Sequence, residues 1–264
     1  VEVEPGRRIS SLVWGEEDPE LVLIHGGSQN AHTWDTVALA LEKPLLAIDL
    51  PGHGHSDGRR DGSRSIDDDG ADVGEVIRVL APNALAVVGM SLGGSTALAV
   101  YRRSPELVRR LVLVDVTPGS NRSRASTITD FVNGPESFAD FDEILARTIE
   151  YNPGRTPSSL RRGILHNAIQ REDGSWVWRH ARSRSGATGR STDRSSLWDT
   201  VSTLKVPVML VRGLLPQSLV DDADEAELLR RVPAARVEHV HGAGHNIQGD
   251  KPIELAALIA DFVY

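Results

Sequence analysis

Short apolar runs, set apart by turn residues and by stretches of helical spacing, fill the first half of this chain. The runs 21–24 (LVLI) and 85–88 (LAVV) are apolar at successive positions, as strands buried on both faces are, and 44–50 and the end of 107–116 repeat the pattern. Between them, apolar residues recur every three or four positions. They do so over 33–42, over 65–80 (Val73, Val76, Ile77, Val79, Leu80 after early acids) and again at Gly94, Ala97, Leu98 and Val100. Strands alternating with helices in this way predict parallel β-α units. Two more short strands are expected at 1–3 and 9–14. After 117 the alternation stops: roughly eighty residues show only helical periodicity, at 138–151 and 158–170, then a polar Ser, Arg and Gly stretch at 182–196 that is expected to be mobile. Strand patterning resumes at 206–212 and 236–240, with helices at 223–231 and 252–263. The division this implies is an α/β core, 1–116 and 201–264, with 117–200 inserted as a helical cap.

Composition narrows the chemistry. A chain of 264 residues suits one α/β core with an insertion, and no apolar run approaches the roughly 18 residues of a membrane span. The opening VEVEPGRRIS has no basic segment followed by an apolar run, so an intracellular, cytoplasmic protein is expected. The absence of cysteine removes disulfides, thiolate metal sites and a cysteine nucleophile. A net charge of −8 argues against nucleic acid or an anionic membrane as partner. Residues 119–199 depart from this balance, with twelve Arg, no Lys and ten acids, which reads as a solvated Arg-rich surface. The oligomeric state is not legible.

Four motifs then carry the functional argument. Gly89-Met90-Ser91-Leu92-Gly93 joins a strand to a helix, and a serine on so sharp a turn needs small neighbours at both glycine positions. The Ser91 hydroxyl would project above the sheet, with the Leu92 N–H aimed at the oxygen under attack. His25-Gly26-Gly27-Ser28 follows the first central strand and offers the Gly27 N–H as a second donor. Asp49-Leu50-Pro51-Gly52-His53-Gly54-His55-Ser56-Asp57 is a turn-rich loop; His53, His55 and Asp57 could be weighed as metal ligands, but such composition is usually structural, and no metal is assigned. Finally, Gly242-Ala243-Gly244-His245 places a histidine after the last strand, on the same rim as Ser91. Asp115 sits at the end of the strand after the elbow helix. Neither a phosphate loop nor a dinucleotide fingerprint occurs, and no cofactor is expected.

In this order the motifs resemble the α/β-hydrolase fold superfamily over nearly the whole chain. The resemblance implies a doubly wound, mostly parallel eight-stranded sheet with helices on both faces. It also implies Ser91 as nucleophile, His245 as base and the N–H groups of Gly27 and Leu92 as oxyanion hole. The acid departs from the usual pattern. Members commonly carry it just after the strand 206–212, yet 214–217 reads Leu-Leu-Pro-Gln. A minority, including lactonases similar to the zearalenone-hydrolysing enzymes, take it from the position of Asp115, while Asp221 and Asp222 remain as alternatives that also read as a helix cap.

A serine at 91, where those enzymes need a carboxylate, argues against the alkyl-ester chemistry of dehalogenases and epoxide hydrolases. Hydrolysis of a carboxylic ester or lactone of a small, fairly apolar molecule is the leading expectation. Hydrolysis of a C–C bond in a keto-acid, cofactor-free peroxidation and a small-molecule receptor on the same fold are its rivals. Substrate contacts are expected from the cap. Trp176 and Trp178 would share a face if extended, or simply pack the cap; Arg161, Arg162 and His166 would suit a carboxylate.

Overall fold

The computed structural model describes residues 1–62, 65–120, 130–131, 133–152, 154–180 and 196–264. In chain order the core begins with β1 (Glu2–Glu4), β2 (Arg7–Arg8), β3 (Ser11–Trp14) and β4 (Leu21–Ile24). A 3-10 turn, Ala31–Trp34, leads into α1 (Asp35–Leu41), followed by β5 (Leu45–Ile48), α2 (Ile66–Leu80), β6 (Ala86–Met90), α3 (Leu92–Arg103) and β7 (Leu111–Val114). The insertion contributes α4 (Phe141–Tyr151), α5 (Pro157–Asn167), β8 (Ala168–Gln170) and β9 (Trp176–Trp178). The chain closes with α6 (Leu197–Ser202), β10 (Val208–Gly213), α7 (Asp222–Arg231), β11 (Arg236–Val240), α8 (Ile247–Asp250) and α9 (Pro252–Val263).

The main sheet runs β11-β10-β7-β6-β4-β5-β3, parallel throughout except for β3 at its edge. Every residue of β4, β5, β6 and β7 is buried, which is why these strands read as unbroken apolar runs. The pleat divides them between two cores. Val22, Ile24, Leu46, Ile48, Leu111 and Leu113 face α2, α3 and α6, whereas Leu21, Leu23, Leu45, Ala47, Val112 and Val114 face α1 and α9.

The expected eight strands are seven. β1 folds back on β2 through Gly6, whose φ of 70° suits glycine, and the pair forms a separate two-stranded ribbon. Arg7 explains the departure. It is 2% exposed and its guanidinium grips both oxygens of Asp72 on α2, at 2.7 and 2.8 Å, drawing the ribbon onto that helix instead of onto the sheet edge.

In the insertion, Phe138, Ile144, Leu145, Leu160, Ile164 and Ala168 form a small apolar cluster of their own. The helix expected over 158–170 ends at Asn167. Its last three residues turn into β8, which pairs antiparallel with β9. Ala168 lies four positions after Ile164, so spacing alone could not separate one more helical turn from a strand. Trp176 and Trp178 are extended in β9. The expected boundary at 200/201 falls inside α6, whose Leu197 and Val201 already pack into the core. Of the polar stretch 182–196, residues 182–195 lie outside the described residues. Among the described residues no helix is long and apolar enough to cross a membrane.

Candidate active site

Ser91 follows β6 directly and adopts φ 52°, ψ −115°, a conformation that costs a side-chain-bearing residue on the order of 1–3 kcal/mol. The neighbours make it the way out of the strand. Its N–H still donates to Val114 O at 3.2 Å as if in the sheet, while its carbonyl already accepts from Gly94 and Ser95 as the first turn of α3. A Cβ on Gly93 would strike the carbonyl oxygens of Ile24 and His25, and one on Gly89 the backbone of Gly93 and Gly94. The Ser91 side chain makes no capping bond to α3 and is half-buried.

Asp115 leaves the adjoining strand in a second left-handed conformation, φ 48°, with no solvent exposure. A carboxylate so buried requires donors on both oxygens. Oδ1 accepts from Ser218 Oγ at 2.5 Å and from Gly213 N–H at 3.2 Å; Oδ2 accepts from Leu219 N–H at 2.9 Å and faces His245 Nδ1 at 2.8 Å. With the proton on Nδ1, donated to the carboxylate, Nε2 keeps a lone pair. The end of β10 and the loop after it, which carries no acid at 214–217, thus supply three donors to the acid that follows β7. Asp221 and Asp222 are placed differently. Asp221 caps α7, accepting from Ala223 and Asp224 N–H at 3.0 Å, and Asp222 pairs with Arg212 at 2.7 Å.

Gly27 and Leu92 are neighbours: a Cβ on Gly27 would lie 3.9 Å from Leu92 Cδ2. Leu92 opens α3, so its N–H has no partner within the helix and sits at the positive end of the helix dipole. Gly26 N–H is engaged by Gln29 Oε1 at 3.2 Å. Gln29 also ties this turn to the segment after His245, through Asn246 Oδ1 at 3.4 Å and Gln248 Nε2 at 3.2 Å. His25 holds the turn from beneath, with Nδ1 on Gly26 O at 2.7 Å and Nε2 accepting from Leu50 N–H at 2.9 Å. Burial pushes its imidazole down to about 4, against a weaker upward pull from Gly26 and Asp49.

The histidine-bearing loop 49–57 is a knot around Asp49. That carboxylate accepts from Ala31 N–H at 2.7 Å and His55 N–H at 2.9 Å, and Ser56 Oγ donates to Asp49 O at 2.7 Å. His53 turns to Pro51 O and Asp57 to Arg8 N–H, so these side chains are directed apart.

The residues expected from sequence to contact substrate occupy several surroundings. Trp176 meets Phe141 edge-on at 5.1 Å and Trp178 meets Phe131 and Phe138 at 5.5 and 5.9 Å, within the insertion's own cluster. Arg161 lies over the Phe141 ring at 4.8 Å, Arg162 donates to Thr36 Oγ1 at 2.9 Å, and His166 stacks on His32 at 3.8 Å. Arg155 was missed. Its guanidinium reaches the His245 side of the rim, where a Cβ on Gly249 would lie 3.0 Å from Arg155 Cζ, and burial lowers its pKa. Nearby Asp250 accepts from Gly244 N–H at 3.0 Å, and burial raises its pKa against the pull of that bond and of Arg155 and His245. Nothing in local spacing separates Arg155 from the other eleven arginines between 119 and 199.

Residues 21–258 match the Alpha/beta hydrolase family, a span that holds the strand-to-helix serine and both partners of the Asp115–His245 bond. The chain belongs to this family and is a hydrolase. Over 258 residues it is 43% identical to Esterase Rv0045c of Mycobacterium tuberculosis, covering 95% of this chain and 85% of the relative. A structure of that esterase, from work on its inhibition by transition metals, matches with a TM-score of 0.85 at 42% identity over 96% of this chain and 88% of the other. A 2-(acetamidomethylene)succinate hydrolase of Mesorhizobium japonicum is 28% identical over 251 residues, 93% of this chain and 88% of that one.

Proposed function

We propose that this chain is a serine-dependent hydrolase that cleaves a carboxylic ester or lactone of a small, fairly apolar molecule through an acyl-enzyme. The observation that carries the reading is the 2.8 Å bond between His245 Nδ1 and a fully buried Asp115 whose other lone pairs are already satisfied. Such a carboxylate holds the imidazole in one tautomer and stabilises the imidazolium. In the proposed cycle His245 Nε2 accepts the Ser91 proton as Oγ attacks the carbonyl carbon, and the N–H groups of Gly27 and Leu92 receive the oxyanion. Collapse expels the alcohol, protonated by His245, and leaves the acyl group on Ser91. Water then repeats the attack with His245 again as base, returning the free acid and Ser91. The similarity to an esterase supports ester chemistry. The insertion from α4 to β9 serves as the cap that shapes the pocket.

Repeated turnover of a short-chain nitrophenyl ester, abolished in Ser91→Ala and in His245→Ala with the circular dichroism spectrum retained, is the expected result. A serine-directed phosphonate should label the wild type once, at Ser91. Undiminished turnover in Ser91→Ala defeats the proposal; single-turnover acylation with no release favours a receptor.

One observation favours a second reading, an acid-bearing substrate. Arg155 brings a half-buried cation to Gly249 on α8, with its Nη2 donating to Ser159 Oγ at 2.9 Å and its Nε without a hydrogen-bond partner. One relative is named for a substituted succinate, an acid-bearing substrate, which supports weighing this reading.

A further inference from the structure

We propose that Gln29 is a positioning residue that aims the Gly27 N–H at the reacting oxygen and holds it at a fixed span from His245. The inference deepens the serine-hydrolase reading and rests on it. Gln29 lies on the turn after β4, and its side chain runs back towards the nucleophile: a Cβ on Gly26 would lie 3.4 Å from both Gln29 Oε1 and Ser91 Cβ. Its amide makes three hydrogen bonds. Oε1 accepts from Gly26 N–H at 3.2 Å and from Gln248 Nε2 at 3.2 Å, and Nε2 donates to Asn246 Oδ1 at 3.4 Å. A backbone N–H can only donate, so the oxygen of Gln29 is the end that faces Gly26.

Gly26 is thereby held on both of its backbone polar groups. The Gln29 side chain takes its N–H, while its carbonyl accepts from Gln29 N–H at 3.3 Å and from His25 Nδ1 at 2.7 Å. Nδ1 carries the proton because Nε2 of the same ring accepts from Leu50 N–H at 2.9 Å. In a planar trans peptide the carbonyl of Gly26 and the N–H of Gly27 point in opposite directions, so fixing the first fixes the second. Without a Cβ, Gly26 has little steric restraint of its own on either side. The two bonds from Gln29, one to each side of Gly26, supply that restraint.

The same amide crosses the site. β4, which delivers the turn, and β11, which delivers His245, are separated in the sheet by β6, β7 and β10, so no ladder hydrogen bond sets their spacing. Gln29 reaches across to Asn246, the residue after His245, and to Gln248 in α8. Gln248 is 2% exposed and turns its N–H to Gln29 although its own Oε1 has no hydrogen-bond partner. An oxyanion donor contributes only within about 2.7–3.1 Å of the developing charge, and a base only within reach of the serine hydroxyl. Tying both to one side chain makes Gln29 act on the transition state and not on substrate binding.

The test measures kcat and KM on a nitrophenyl ester, and inhibition by phenylboronic acid, for the wild type, Gln29→Met, Asn246→Ala, their double variant and Ser91→Ala. Circular dichroism and urea unfolding check each fold. Gln29→Met keeps the length of the side chain without its bonds. Its kcat should fall about 10- to 100-fold, less than the roughly 10²- to 10³-fold for outright loss of a donor, with KM within about threefold of wild type. The boronate, which forms a tetrahedral adduct on Ser91, should bind more weakly by a similar factor. Asn246→Ala should lose about three- to tenfold in kcat, and the double variant should be no slower than Gln29→Met, because both changes break one bridge. Unchanged kcat and boronate affinity in Gln29→Met, with only a lower urea midpoint, overturn the positioning role; additive losses overturn the bridge to Asn246. Should Gln29→Met fail to fold, Asn246→Ala decides, and normal kcat with normal boronate affinity there overturns the inference. Turnover retained in Ser91→Ala defeats the hydrolase reading and this inference with it, whereas its loss beside a normal Gln29→Met defeats the inference alone.

Discussion

Asp115 and His245 stand 130 residues apart in sequence and meet at 2.8 Å, the acid coming from the end of β7 and not from the loop after β10. The last residue of β10 and the loop after it instead wrap Asp115, with the Gly213 N–H from the strand and Ser218 Oγ and the Leu219 N–H from the loop. β7 lies between β6 and β10, so the acid stands beside the strand that delivers Ser91. In the proposed triad, taking the carboxylate from the end of β7 keeps it on the same rim as Ser91 while the chain after β10 supplies donors to it.

Asp115→Asn tests this arrangement directly. The amide keeps the volume and part of the bonding but favours the wrong imidazole tautomer, for which a loss on the order of 10⁴ in kcat is the reference magnitude. The Asp221→Ala, Asp222→Ala double variant should instead lose about 1–2 kcal/mol of stability through the α7 cap, with turnover nearly unchanged. Steady-state kinetics and urea unfolding on both proteins separate the outcomes, and a normal kcat in Asp115→Asn assigns the acid elsewhere.

Ser218→Ala removes the shortest bond to the same carboxylate. A hydrogen bond to a charged group contributes roughly 1.5–3 kcal/mol, and its buried partner finds no water in exchange. The variant should therefore unfold at lower urea concentration and turn over more slowly at unchanged KM. A purely structural role predicts the first effect without the second.

Much of this was readable from sequence, for identifiable reasons. The four central strands are buried on both faces, so their apolar runs are continuous, and the serine turn carries its steric requirement openly in Gly89 and Gly93. The donors around Asp115 left no trace because two of the three are backbone N–H groups, which every residue but proline owns. Likewise Val1 and Val3 alternate as an edge strand would, and the ion pair that redirects them, Arg7 with Asp72, spans 65 residues. The β8–β9 hairpin was hidden by a helical spacing that continues one position too far.

Stability should depend on pH through His25. Its imidazole is held down to about 4 by burial, against 6.5 for the free group. The unfolded chain therefore binds a proton between those values that the native state refuses. This contribution is fully present above pH 6.5 and is lost as pH falls towards 4, by an amount on the order of 3 kcal/mol. Urea midpoints at pH 7 and pH 4.5 should show the decline, and His25→Gln should be less stable at pH 7 but flatter across the interval. Parallel pH dependence in wild type and variant would assign the slope to other groups.

Substrate charge is the remaining choice, and Arg155 sharpens it. Arg161 lies over the Phe141 ring and Arg162 donates to Thr36, whereas Arg155, donating to Ser159 Oγ at 2.9 Å, reaches Gly249 on α8, the helix that follows His245. Asp250 sits close enough to perturb it and be perturbed, so the pair presents little net charge to a ligand. A cation with a carboxylate close by attracts an anionic substrate weakly, and bringing in a second carboxylate would crowd Asp250 with like charge. A neutral ester or lactone is therefore expected to have the higher kcat/KM, with little dependence on salt. Arg155→Ala should change kcat/KM for neutral esters less than tenfold, while Asp250→Asn, which frees the cation, should raise kcat/KM for a carboxylate-bearing ester relative to its neutral analogue. Measuring both esters at low and high salt decides the matter: a wild-type preference for the anionic ester, abolished in Arg155→Ala and weakened by salt, would assign the pocket to acid-bearing substrates.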